Sequence, residues 1–307
     1  MITVERILCP VDLAHDAGGA LGYAAALAQT FGARLLAYYC AKELPPERTL
    51  ARHEKCEGLK SDIGRSFAAQ AGASSIRSFA FESVVGEGRD AAEAIAREAA
   101  ARRVDLIVMN SRRRPVAAAL LGSTAERVCR MAPCPVLVTH PDERERVDGA
   151  GRRELRRILV AYDFSNDSEL ALRHGLSLAR AYETEMHLLH VMRRPERDGP
   201  EVLCRPDVLE GAYRAALQRL QKTVPEEAGL PRAVTTAVHW GKPYREILSY
   251  AREQDADLIC MGASGAEFGM GTLFGSNADR VLRQAPCPVL VTRPLKPAAF
   301  APSDAQV

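Results

Sequence analysis

Short apolar runs alternate along the chain with longer segments in which apolar residues recur near helical spacing. The pattern is clearest in the C-terminal half, where Asn166, Asp167 or Ser168 is predicted to cap the first helix. In that half it predicts strands at 157–162, 185–191, 233–239, 258–261 and 288–292, and helices at 168–181, 207–223, 243–254 and 277–284.

The chain contains an internal repeat. RILCPVD at 6–12 returns as RILVAYD at 157–163, DLIVM at 105–109 as DLICM at 257–261, and APCPVLVT at 132–139 as the same letters at 285–292. Three matches in one order, at a spacing of about 150 residues, indicate two copies of one domain. The predicted organisation is a domain at 1–141, a charged linker at 142–155, a second domain at 156–295 and a tail at 296–307.

The predicted strands are apolar at successive positions, as in LICM at 258–261 and PVLVT at 288–292. Such strands are covered on both faces, which is typical of parallel sheets with helices between the strands. Each copy is therefore predicted to be a doubly wound α/β domain, with a five-stranded parallel sheet and helices on both faces. Sheets of this kind bind ligands beyond the carboxyl ends of the strands, where the strand order reverses. The loops after the first and fourth strands are the candidate binding loops.

Composition narrows the class of protein. The chain has 307 residues, of which 47% are hydrophobic and 26% charged, as in ordinary globular proteins. The formal net charge is only +2, which disfavours a nucleic-acid partner. No apolar run approaches the roughly 20 residues that cross a bilayer, so we expect a cytoplasmic protein with no membrane partner.

The eight cysteines include no CxxC pair and mostly lie inside apolar runs. That placement favours buried thiols over a zinc site or a disulfide framework.

A glycine-rich segment follows the fourth strand of the second copy. Two residues separate Gly262 from Gly265, nine separate Gly265 from Gly275, and Ser276 follows at a predicted helix start. Glycines let a phosphate approach the main chain, and the first amides of a helix add donors and the positive end of its dipole. The segment is a candidate phosphate site, although a glycine-rich stretch can also be a flexible connection.

The sequence resembles the universal stress protein family over nearly the whole chain, twice. The resemblance rests on the YD ending of the first strand, His190-Val191, the Gly241-Lys242-Pro243 turn, DLICMGASG, Gly275-Ser276 and CPVLV. It implies binding of ATP, for which Mg²⁺ is a candidate companion. It also implies that Asp163 contacts the adenosine end, with Ala161 and Tyr162 beside it and Val191 lining the adenine pocket. Ribose and phosphates would be held by Gly262, Gly265, Gly275, Ser276 and Asn277.

Some of these residues have a second interpretation. Asp163 ends a predicted strand, where a carboxylate can accept bonds from adenosine or cap the following turn. His190 and His239 also stand at strand ends, where histidines more often have structural partners than ligands.

The first copy departs from this pattern. Asn110 replaces Gly262, Arg113 replaces Gly265, and the stretch to Gly122-Ser123 is one residue shorter, while Asp12 is retained. We expect this copy to be mainly structural. The alternative is that the arginines at 112–114 bind an anion through their side chains.

Three functions follow. The first is a stress-response protein whose second domain binds an adenine nucleotide and acts as a sensor or regulator. The second is a slow ATPase, although the chain has no GxxxxGK[S/T] loop. The third is an interaction scaffold or carrier of small apolar ligands with a vestigial nucleotide site.

Protein partners are not identifiable from the sequence. The resemblance implies that the terminal strands at 135–139 and 288–292 associate in antiparallel fashion. That association would give either an intramolecular pseudo-dimer or a homodimer.

Overall fold

The computed structural model of the chain describes residues 2–13, 19–71, 79–111, 123–140, 154–193, 206–224, 230, 232–264 and 274–293. Gly265, the arginines at 112–114, Gly122, nearly all of the predicted linker and the tail lie outside these residues. The chain divides into two compact units, one containing the described residues from Thr3 to His140 and the other those from Glu154 to Thr292.

The two units have the same order of elements. The N-terminal unit contains β1 (Arg6–Pro10), α1 (Gly19–Phe31), β2 (Arg34–Ala41), α2 (Leu50–Ala71), β3 (Phe81–Glu87), α3 (Ala91–Ala101), β4 (Leu106–Asn110), α4 (Ser123–Met131) and β5 (Val136–Thr139). The C-terminal unit contains β6 (Arg157–Ala161), α5 (Asn166–Ala181), β7 (Glu185–Met192), α6 (Pro206–Gln221), β8 (Val234–Trp240), α7 (Pro243–Glu253), β9 (Leu258–Gly262), α8 (Ser276–Gln284) and β10 (Val289–Thr292). The predicted elements of the second copy are confirmed, with ends that shift by at most two residues.

All the strand pairs within each unit are parallel. The order is β3-β2-β1-β4-β5 in the N-terminal unit and β10-β9-β6-β7-β8 in the C-terminal unit. The chain leaves β6 towards β7 on one side and returns to β9 on the other, so the strand order reverses at β6. The predicted doubly wound α/β architecture is confirmed, and the reversal places the candidate site at the carboxyl ends of β6 and β9.

The core lies on both faces of these sheets. The central strands β6 and β9 are buried at successive positions, as their sequences predict. Helix α5 packs directly on β6 because Gly175 carries no side chain, and a Cβ there would lie 2.7 Å from Val160 Cγ2. Among the described cysteines, Cys40 and Cys56 are partly exposed and the others are buried. None of the described helices combines the length and apolar character needed to cross a bilayer.

An aspartate before the fourth strand of each unit holds the start of the first strand. Asp105 Oδ2 accepts bonds from the backbone N–H groups of Glu5 and Arg6, each at 2.9 Å. Asp257 Oδ2 accepts equivalent bonds from 156–157 at 2.8 and 3.0 Å. These bonds align the first and fourth strands, and they explain why aspartate opens the DLI segment in both copies.

We expect Asp257→Ala to lower the free energy of unfolding by about 1–2 kcal/mol, because two backbone donors lose a charged acceptor. Urea unfolding of the full chain, followed by circular dichroism, measures the change. The matched control is Glu210→Ala, which removes only an exposed pair with Arg214 and should change stability by less than about 0.5 kcal/mol. Equal effects of the two variants would contradict the proposed role of Asp257.

Candidate functional site

Three neighbouring strands place predicted site residues level with one another at the carboxyl edge of the C-terminal sheet. Ala161 at the end of β6 pairs with Leu189 of β7 and with Met261 of β9. Asp163 follows two residues after Ala161, Val191 lies two residues after Leu189 in β7, and Ala263 lies two residues after Met261. The register therefore brings the predicted adenosine residues beside the start of the glycine-rich segment.

The carboxylate of Asp163 organises the turn between β6 and α5. Its Oδ1 accepts bonds from the backbone N–H of Ser165 at 3.1 Å and from the Ser165 hydroxyl at 2.5 Å. The Ser165 hydroxyl in turn accepts the N–H of Ser168 at 3.2 Å and caps α5. The predicted caps Asn166, Asp167 and Ser168 were wrong, because the helix begins before Ser168 and its N-cap is Ser165. The turn-forming interpretation of Asp163 describes its geometry, and a role towards a ligand stays a prediction.

Phe164 adopts an unfavourable backbone conformation within this turn. Its φ is 64°, in the left-handed region that bulky residues rarely occupy. The ring is held by Tyr162 at 5.1 Å and by His190 at 4.8 Å, centroid to centroid. The guanidinium of Arg219 lies 3.8 Å from the ring centroid on the remaining side. Side-chain packing against α6 and β7 thus stabilises the strained turn.

The remaining adenosine-side residues have identified partners. The Tyr162 hydroxyl donates to Glu169 Oε2 at 2.9 Å, and burial followed by this bond raises the pKa of Tyr162 to about 12. His190 Nδ1 lies 2.8 Å from the carbonyl oxygen of Tyr162, and His239 Nδ1 lies 3.2 Å from Glu246 Oε2. Both histidines therefore have partners within the protein, as histidines at strand ends more often do.

Asp167, in the first turn of α5, connects the two candidate loops. Its Oδ2 accepts the backbone N–H of Ser264 at 3.0 Å, in the loop that follows β9. Its carbonyl oxygen accepts the hydroxyl of Thr292, at the end of β10, at 2.8 Å. One residue thus holds the end of β10 and the start of the glycine-rich segment against α5.

Gly262 is required by a contact inside the protein, and Gly275 is closely packed. A Cβ on Gly262 would lie 2.6 Å from the Cβ of Asp167, which α5 cannot accommodate without shifting. A Cβ on Gly275 would lie 3.1 Å from the carbonyl oxygen of Ala263, which accepts the Gly275 N–H at 2.7 Å. Neither glycine has a positive φ. Their presence is explained by packing, so it does not by itself indicate a phosphate.

The N-terminus of α8 is open at this edge. Gly275 is the N-cap residue and supplies no side-chain acceptor, while Ser276 is exposed and Asn277 half-buried. Within the described part of the chain, the backbone N–H groups of Ser276 and Asn277 have no hydrogen-bond acceptor. They are available to an anion, which the helix dipole would also favour.

The structure places every predicted site residue except Gly265 at or just beyond the carboxyl ends of β6, β7 and β9 or at the start of α8, and Gly265 lies outside the described residues. Sequence reasoning missed Phe164, Ser165 and Asp167 in their actual roles. The spacing of Ser165 before Ser168 is a usable cap signal, because an N-cap side chain bonds the amide three positions later. A strained phenylalanine and a contact between distant loops leave no comparable signal in the sequence.

The sequence profile of the universal stress protein family matches residues 3–140 and 154–293 of this chain. The chain belongs to the universal stress protein family.

Relatives of known sequence in this family match about half of the chain. A universal stress protein from Methanocaldococcus jannaschii is 30% identical over 149 residues, which are 47% of this chain and 85% of that protein. One from Thermus aquaticus is 34% identical over 140 residues, covering 44% of this chain and 97% of its own. The crystal structure of a universal stress protein from Archaeoglobus fulgidus is similar over 94% of this chain and 98% of its own, with a TM-score of 0.64 and 23% identity. That last similarity establishes the two-domain fold.

The N-terminal universal stress protein domain has a different strand end at the equivalent place. Asn110 stands where the C-terminal domain has Gly262, and its Oδ1 is buried with no hydrogen-bond partner in the described ranges. Ser111 follows, fully buried, and its hydroxyl has no described partner either. The residues of this domain that correspond to the first turn of α5 fall within 14–18, outside the described residues.

We expect Gly262→Asn, which copies the N-terminal domain, to destabilise the chain by about 1–3 kcal/mol, since the added side chain overpacks the contact with α5. Urea unfolding provides the measurement. Gly211→Ala is the matched control, because a Cβ at that position on α6 meets nothing within 4 Å. Alanine there should be neutral or stabilising by up to about 1 kcal/mol. If Gly262→Asn is equally harmless, close packing is not the reason for this glycine.

Proposed function

We propose that the C-terminal domain binds ATP or a related adenine nucleotide and acts in the cytoplasm as a nucleotide-dependent sensor or regulator in stress response. The observation that carries this proposal is the meeting of two loops where the strand order reverses. Asp163 lies on one side of that point, and the open N-terminus of α8 lies on the other.

The adenosine end fits the loop after β6. Asp163 is half-buried just after β6, and Val191 lies near the carboxyl end of the neighbouring strand β7, so the proposed base lies against Val191 with its polar edge towards the carboxylate. A carboxylate accepts hydrogen bonds from an exocyclic amine or a ribose hydroxyl, and the neighbouring end of β7 supplies apolar surface. These properties favour adenine over guanine, whose carbonyl at the equivalent ring position would face the carboxylate.

The phosphate end fits the start of α8. The open amides of Ser276 and Asn277 and the exposed hydroxyl of Ser276 can all donate to phosphate oxygens. Gly265, which the family resemblance implies as a further contact, lies outside the described residues. A Mg²⁺ ion would accompany ATP through phosphate oxygens and water. In the described ranges no group of three His, Cys, Asp or Glu is arranged for a metal.

The N-terminal domain is proposed to be mainly structural, because its β4 ends in Asn110 rather than glycine. The pairing of the two domains into an intramolecular pseudo-dimer, or of two chains into a homodimer, stays a prediction. Turnover of saturating ATP would separate the sensor from a slow ATPase. Adenine nucleotide retained after gentle purification would separate it from a scaffold with a vestigial site.

We expect equilibrium titration with ATP to give one nucleotide per chain, with Asp163→Ala weakening the affinity by about 1–3 kcal/mol. Calorimetry at physiological salt, repeated with GTP, measures both quantities. Asp12→Ala, in the N-terminal domain, is the matched control and should leave the affinity unchanged. Ser165→Ala removes the turn and cap hydroxyl while keeping the carboxylate, so it should cost less affinity than Asp163→Ala.

Two equivalent sites per chain would assign binding to both domains and contradict the proposal. If Ser165→Ala reproduces the whole effect of Asp163→Ala, then Asp163 acts only by shaping the turn.

A further inference from the structure

Three cations surround one tyrosine where α7 and α8 begin. Lys242 is the N-cap residue of α7, Arg245 lies in its first turn, and Arg280 lies in α8 one turn after Ser276. All three are exposed. They and Tyr244 are named here the cationic patch. Because α7 follows β8 and α8 follows the loop after β9, the patch belongs to the carboxyl edge of the sheet, as Asp163 does.

Tyr244 holds the cations of the patch together. Its ring lies 4.6 Å from the Arg280 guanidinium and 5.8 Å from that of Arg245. Arg245 Nε also donates to the Tyr244 hydroxyl at 3.0 Å. This bond, and then the charges of Arg245, Arg280 and Lys242, hold the pKa of Tyr244 below its ordinary value. The guanidinium groups of Arg245 and Arg280 therefore lie around the same ring.

The nearby carboxylates are bonded to other cations. Asp279 forms two bonds to Arg283, at 2.7 and 2.9 Å. Glu246 lies 3.2 Å from His239. In the part of the chain that the structure describes, no carboxylate forms an ion pair with Lys242, Arg245 or Arg280. The positive charge of the patch is thus not neutralised by these neighbours.

The N-terminal domain neutralises the equivalent arginine. Arg127 occupies in α4 the place that Arg280 occupies in α8, four residues after the serine that begins each helix. It forms an ion pair with Asp90, the N-cap of α3, and a second with Glu93 at 3.4 Å. The equivalent arginine therefore faces carboxylates at the start of α3 in the N-terminal domain and cations at the start of α7 in the C-terminal domain.

The arrangement in the C-terminal domain is unfavourable without an anion. Cations at a helix N-terminus oppose the helix dipole, and like charges held close together repel one another. The N-terminal domain has the favourable arrangement, with carboxylates at both positions. Two guanidinium groups gathered around one ring beside the starts of α7 and α8 are suited to phosphate, which arginine binds through paired donors.

We propose that the cationic patch binds the distal phosphates of a nucleoside polyphosphate whose adenosine lies at Asp163. This inference rests on the proposed function and specifies its ligand class as a triphosphate or longer chain rather than a monophosphate. Arg280 lies on the same face of α8 as Ser276, about 5–6 Å away between Cβ atoms, within reach of the next phosphates of the chain. Its long side chain extends the site from the helix start to Tyr244.

Calorimetric titration of the full chain with ATP, AMP and inorganic tripolyphosphate tests the proposal. We expect Arg280→Gln to weaken ATP and tripolyphosphate by about tenfold or more and to leave AMP unchanged. Arg127→Gln, at the neutralised position, is the matched control and should change none of the three. Arg245→Gln should weaken the same ligands as Arg280→Gln does. Agreement between the two variants would show that the loss does not come from a local distortion of α8 alone. Urea unfolding confirms that all the variants fold.

Equal losses of ATP and AMP affinity in Arg280→Gln, equal effects of Arg280→Gln and the control Arg127→Gln, or no binding of tripolyphosphate to the unaltered chain would overturn the proposal. A different outcome separates it from the proposed function. If tripolyphosphate binds and is lost in Arg280→Gln, while ATP and GTP bind no better than tripolyphosphate, the phosphate site stands and the adenosine site is wrong.

Discussion

Close packing of the first turn of α5 against the end of β9 is the constraint on which the C-terminal site depends. The missing Cβ of Gly262 lets Asp167 approach, and Asp167 then bonds to the loop after β9 and to Thr292 of β10. The same approach fixes the start of α5, and with it the strained turn at Phe164 and the position of the Asp163 carboxylate. Both candidate loops are thus positioned by one contact between a helix and a strand.

The two domains differ at the residue on which this contact depends. Asn110 ends β4 where Gly262 ends β9, and the Asn110 Oδ1 and the Ser111 hydroxyl are buried without a hydrogen-bond partner in the described ranges. A Cβ at Gly262 would lie 2.6 Å from the Cβ of Asp167, so an asparagine at that place in the C-terminal domain is incompatible with the approach of α5 to β9. This glycine is therefore explained by helix packing before any contact with a ligand is considered.

The elements of the fold could be predicted because each strand and helix is encoded by its own residues. Runs such as LICM identify buried parallel strands, and the internal repeat shows several of these strand patterns a second time. The edge of the sheet that carries Asp163, Val191 and Ala263 could also be predicted, because all three lie at or just beyond the carboxyl ends of strands in a parallel sheet. The reason for Gly262, the cap at Ser165 and the role of Asp167 did not follow. Each depends on a contact between residues far apart in the sequence or on a backbone angle that no residue type dictates.

A comparison of the two domains distinguishes residues that the fold requires from residues that a ligand would require. Asp105 and Asp257 each accept the same two backbone hydrogen bonds in their own domain, so the fold of each domain accounts for this aspartate. Arg127 and Arg280 also occupy equivalent positions. Among the residues that the structure describes, Arg127 pairs with carboxylates, whereas Arg280 pairs with none and stacks on Tyr244 beside other cations. A fold that needed this arginine would pair it in both places. Arg280, which no described carboxylate pairs, lies in the helix whose first amides also lack a described acceptor, and an anion at that edge would satisfy both features at once.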